Sequence, residues 1–152
     1  MMNKLFASVV LSAAAMLAQA QPAAPVAVEG AWARAALQGQ PTSAGYMTLT
    51  AREPLTLLGA SSPAAGVVEL HEMKLDGDVM RMRALNELAL PVGKSVELKP
   101  GGLHFMLMEL KAQFKPGLTV PLTLRLRDAK GAERTLQVAL PVSAAAPSAH
   151  TH

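Results

Sequence analysis

The chain has no cysteine in 152 residues. Disulfide staples are therefore excluded. So are cysteine zinc sites, iron–sulfur clusters and the blue-copper centre, each of which needs thiolate. Aromatic residues are scarce at 3%, and Lys and Arg stand singly, so there is no basic stripe with stacking rings of the kind nucleic acid requires. Helical periodicity is also missing. "RALNELAL" at 83–90 is the only helix-like window, and it is short and stops at Pro91. No internal repeat is visible. No nucleophile–base–acid constellation stands out, which argues against an enzyme.

Long apolar runs are absent beyond the first twenty residues. There, "MMNK" supplies one positive charge, "LFASVVLSAAAMLA" is apolar, and "AQA" at 18–20 is a small-x-small pattern. The segment is too short to span a membrane and reads as a cleavable leader over 1–20. With no Cys beside the cleavage point, the expectation is a soluble chain exported to the periplasm without a thioether-linked lipid. Losing Lys4 lowers the basic count from 14 to 13 against 11 acidic residues, a net charge near +2. Residues 21–27 read as a flexible entry, 28–142 as one folded domain, and 143–152 as a disordered tail.

What the chain does have is short alternating segments: "VAVEGAWARA", "SAGYMTLTA", "PLTLLGAS", "GVVELHEM", "DVMRMRAL", "KSVELK", "GLHFMLMEL", "LTVPLTLRLRD" and "ERTLQVALPV". Turn signals such as "SSPAAG", "DG", "KPGG" and "DAKG" separate them. Many short strands at this spacing predict an all-β antiparallel sandwich or barrel.

It also has nine methionines and four histidines. Asp76–Gly77 is a strong hairpin signal. Taken as the two turn residues, they set His71 opposite Met82, Met73 opposite Met80 and Glu72 opposite Arg81. One face of the ribbon then carries His71, Met73, Met80 and Met82. The other carries Glu72, Lys74, Arg81 and Arg83. Directly opposed Cβ atoms lie about 4.5–5.5 Å apart, close enough for His71 and Met82 to share a metal ion. Core packing competes with this reading, since Met fills irregular interiors well. Against it, Met is a poor strand former, and Glu69 shares the His71 face.

"GLHFMLMEL" repeats the arrangement, with His104, Met106 and Met108 on one side of a strand. A buried, satisfied histidine is the alternative there. Together the halves favour metal, because both internal histidines have methionines on their own face. Thioether sulfur selects Cu(I). A site of two neutral imidazoles and two thioethers suits a monovalent ion.

His71, ten residues, Met82, twenty-one residues, His104, one residue, Met106: this spacing resembles the ligand signature of the periplasmic copper chaperone family PCuAC. "AWARA", "AGYMTL", "VELHEM", "DVMRMR", "VELKPGGLHFMLMEL" and "VPLTLRL" resemble it too, over most of 28–128. The resemblance implies a cupredoxin-like Greek-key β-sandwich binding one Cu(I) through His71, Met82, His104 and Met106. It implies delivery toward the CuA centre of cytochrome c oxidase, with oxidase subunit II or a Sco-like protein as the acceptor. Met73, Met80 and Met108 fall outside the signature and read as a soft apolar surround able to ligate transiently during hand-over. Some members carry a His- and Met-rich tail that holds a second copper. Here the tail offers only His150 and His152, at best a weak Cu(II) chelate. A monomer is expected, without membrane insertion. Copper buffering for resistance and a metal-free structural sandwich are the rival readings. Trp32, the sole Trp, is assigned to core packing.

Overall fold

The computed structural model describes residues 24–147. The leader assigned to 1–20 and the tail histidines His150 and His152 lie outside them. Ten strands follow in order: β1 Val26–Arg34, β2 Ser43–Ala51, β3 Leu55–Ser61, β4 Ala65–Asp76, β5 Val79–Leu85, β6 Leu88–Leu90, β7 Ser95–Leu98, β8 His104–Leu110, β9 Thr119–Asp128 and β10 Glu133–Ser143. β1 opens at Val26 and β10 runs to Ser143, so strand structure slightly exceeds 28–142 at both ends.

The strands form two layers. One runs β5-β4-β8-β2-β1, with β7 also on β2; the other runs β10-β9-β3-β6. A short parallel pairing joins them at one edge, Ala33 with Val142 and Arg34 with Ser143. Every other strand pairing is antiparallel. Alternation decides which residues face inward. In β9, Val120, Leu122, Leu124 and Leu126 are buried, while Thr119, Pro121 and Arg125 are exposed. From the other layer Met47, Leu49, Leu70, Phe105 and Leu107 meet them. Fully burying such a side chain is worth about 1.5–3 kcal/mol. A core of this extent explains how the fold does without disulfides.

One detail departs from the sequence pattern and one sharpens it. The helix-like window over 83–90 is strand: β5 ends at Leu85, and Leu88–Leu90 pairs with β3, Leu55 opposite Leu90. Eight residues are too few for a stable isolated helix, whereas pairing with β3 buries Leu90 and carries the chain between layers. Trp32 is buried, but outside the main core. It packs with Ala44 and Tyr46 in a separate small cluster, its ring centroid 4.8 Å from that of Tyr46. Burial pushes the Tyr46 hydroxyl's pKa up, against a smaller opposing pull from the Arg34 charge.

Candidate metal centre

The β4–β5 hairpin forms one register step away from expectation. Asp76 pairs with Val79, so Gly77 and Asp78 are the two turn residues. A turn centred on Asp76–Gly77 of the favoured mirror-image type needs positive φ at both positions. Only Gly77 supplies it, at +62°. Glycine at the first central position suits the II′ turn, which accepts Asp second. His71 therefore faces Ala84, Met73 faces Met82, Leu75 faces Met80, and Glu72 faces Arg83. Opposed positions slide by two residues, an even number, so each side chain keeps its predicted face. His71, Met73, Met80 and Met82 remain on one side. On the other, Glu72 and Arg83 form an ion pair at 2.5 Å. Met82 is diagonal to His71, at about 7–8 Å between Cα atoms, still within reach of a long side chain.

The β4–β8 pairing supplies the centre. His71 lies directly opposite His104, and Glu69 opposite Met106. The imidazole centroids are 5.7 Å apart and set edge to face. Met106 also stands beside Ala44 of β2, so the outer face continues into the Trp32–Tyr46 cluster. Met106 and Met82 flank the histidine pair from opposite ends, one level with Glu69 and the other with Met73. Met108 lies one step further, opposite Val67.

The two histidines differ in setting. His104 is 5% exposed, and its Nδ1 is 3.0 Å from the Gly102 carbonyl oxygen. "KPGG" places that carbonyl. Gly102 N–H donates to the Lys99 carbonyl at 3.0 Å, with Pro100 and Gly101 between them and Gly101 at φ +82°. Pro then Gly at these positions defines a type II turn. The same Gly102 carbonyl also accepts from Met73 N–H at 3.3 Å, which ties the loop to β4. His71 is half-buried at the site's outer side, its Nε2 2.7 Å from a Glu69 carboxylate oxygen. Nδ1 of His71 is buried and has no hydrogen-bond partner. Glu69 is the residue near the site that the sequence reading noticed but gave no role; its shared face with His71 was the available signal.

Among the described residues, no group of three or more His, Asp or Glu side chains is placed to hold a metal ion. The potential donors on this face are the two imidazoles, the flanking thioethers and the Glu69 carboxylate, and the imidazole–thioether set is one that suits soft Cu(I). An orphaned buried imidazole nitrogen fits the same conclusion.

The architecture is a cupredoxin-like β-sandwich of the PCuAC type. It matches the copper-bound PCuAC domain from PmoF2 with a TM-score of 0.59 at 24% identity, over 81% of this chain and 97% of that one. The chain belongs to the LpqE-like family: the model described as "Putative lipoprotein LpqE-like" matches residues 26–142. "Putative lipoprotein Lxx21020" from Leifsonia xyli subsp. xyli is 36% identical over 118 residues, which is 77% of this chain and 69% of the relative. The solution structure of CuI-DR1885 from Deinococcus radiodurans is 35% identical, with a TM-score of 0.59, over 82% of this chain and 80% of that one.

Proposed function

We propose that the protein is an exported Cu(I) carrier that holds one ion through His71, Met82, His104 and Met106 and passes it on without turnover chemistry. The observation that carries this reading is the direct pairing of His71 with His104 across β4 and β8. Methionines flank that pair on the same face, and one buried imidazole nitrogen lacks a partner. The relative DR1885, solved in a Cu(I) form, supports copper as the cargo. The family's description as lipoprotein, the leader-like opening and the lack of cysteine support a place outside the cytoplasm.

Delivery follows from the chemistry of the donors. Thioether is a weaker donor to copper than thiolate, so transfer to a cysteine-containing acceptor runs downhill. The CuA site of oxidase subunit II and a Sco-like protein are acceptors of that kind. Met82 is 46% exposed, so an incoming ligand can replace it while both histidines still hold the ion.

Anaerobic Cu(I) titration against a competing chelator tests the assignment. His71→Ala and Met106→Ala should both bind markedly more weakly than wild type while keeping its circular dichroism. Wild-type affinity in both variants would reject the site.

A further inference from the structure

Glu69 has no place in the His/Met spacing, yet its carboxylate is 2.7 Å from Nε2 of His71. An ionised carboxylate only accepts hydrogen bonds, so Nε2 must carry the proton. A neutral imidazole has just one N–H, which leaves the lone pair on Nδ1. That nitrogen is the buried atom without a partner. His104 is arranged the other way. A carbonyl oxygen also only accepts, so the contact with Gly102 puts the proton on Nδ1 and the lone pair on Nε2.

We infer that Glu69 is a positioning residue: it fixes His71 as the Nε2–H tautomer, so that copper is taken by Nδ1 of His71 and Nε2 of His104. The inference rests on the Cu(I) site proposed above. The backbone favours the arrangement. Glu69 and His71 are two apart on one strand face, about 6.5–7 Å along the chain, so their side chains meet without disturbing a ladder bond. Glu69 is 45% exposed and His71 12%. Water can solvate the carboxylate's outer side while the inner side holds the ring. Carboxylate partners of this kind orient a ligating imidazole and raise its donor strength. The two histidines thus receive their orientation from different sources: a side chain on the same strand for His71, a turn carbonyl for His104.

The test is read first on the metal-free whole chain, labelled with ¹⁵N, by long-range ¹H–¹⁵N correlation above the imidazole titration range. His71 should show Nε2–H and His104 Nδ1–H in the same spectrum. Glu69→Ala should turn His71 into a tautomer mixture, leave the His104 signals in place as a fold control, and weaken Cu(I) binding by about 10–100-fold. Glu69→Gln, whose amide oxygen still accepts from Nε2–H, should restore the tautomer and most of the affinity. An Nδ1–H tautomer at His71 in wild type would overturn the inference. So would unchanged tautomer and affinity in Glu69→Ala, or oxygen scattering at the copper edge that disappears in Glu69→Gln, which would make Glu69 a ligand. A wild-type chain that fails to bind Cu(I) would instead reject the carrier reading, while the metal-free spectrum would still report on Glu69.

Discussion

The β8 half of the site and the hairpin half carry similar side chains in opposite surroundings. On β8, His104 is buried, Met106 is half-buried, and the "KPGG" turn holds the imidazole through one carbonyl. On the hairpin, Met80 and Met82 are about half exposed, and Leu75 and Val79 near the tip more so. β5 is the edge strand of its layer. One half is preformed by packing. The other is open to solvent. The proposed carrier role needs this asymmetry, because a site enclosed on every side would hold copper without releasing it, and one open on every side would lose it to any competitor.

Substitutions in the two halves should therefore differ in kind. His104→Ala removes a proposed ligand from the fixed half and should lower Cu(I) affinity by more than about 100-fold, beyond what losing an orienting partner costs. Met82→Leu, on the exposed half, should lower affinity less and speed release more. Stopped-flow transfer of Cu(I) to a thiolate chelator, set beside equilibrium affinity, separates the two. Equal losses of affinity and equal changes in transfer rate would remove the distinction between the halves.

Much of this was legible in the sequence because strand faces follow from parity alone. Alternation puts His71 with Met82 and His104 with Met106 whatever the register, provided slips are even. The register itself depends on the sign of φ at Asp76, which residue names do not display: Asp-Gly fits two neighbouring turn placements, and Gly77 takes a positive φ in both. The His71–His104 pairing was out of reach for another reason. It joins residues 33 positions apart, and no local pattern fixes such a partner. β6 was missed because three residues cannot show a period. Trp32 is buried as its packing role predicts, but the cluster it joins depends on the β1–β2 register, Trp32 opposite Tyr46, which residue names do not display.

The hairpin half can be perturbed without touching a ligand. Gly77→Ala puts a side chain at φ +62°, with no neighbouring atom in its way. The cost is therefore conformational, roughly 1–2 kcal/mol. It should appear as faster amide exchange in Val79–Leu85 and in the β4 residues facing them, with β8 unaffected. Cu(I) affinity should fall only slightly, since His104 and Met106 stay where they are. Uniform loosening of both halves would mean that the hairpin and β8 fold as one unit.

The smallest effect should come from the layer that carries none of the proposed ligands. Asp128 closes the β9–β10 turn, its carboxylate accepting from Lys130 and Ala132 N–H at 2.9 Å each and from Arg134 at 3.2 Å. The Ala132 N–H is the largest influence and holds its pKa below the ordinary carboxylate value; desolvation, next in size, opposes it, and the Lys130 N–H and Arg134 add to the lowering. A carboxyl whose folded pKa is depressed adds stability that is complete above its unfolded pKa and lost as pH falls through the folded one. Asp128→Ala should therefore melt a few degrees below wild type at neutral pH. The two melting curves should converge once acid has protonated the wild-type carboxyl. Cu(I) affinity at neutral pH should match wild type, because Asp128 sits in the β10-β9-β3-β6 layer and the proposed ligands lie on β4, β5 and β8. A loss of copper binding in this variant would show that the two layers are energetically coupled, and the contrast between a fixed and an open half would then have to be drawn across the whole sandwich.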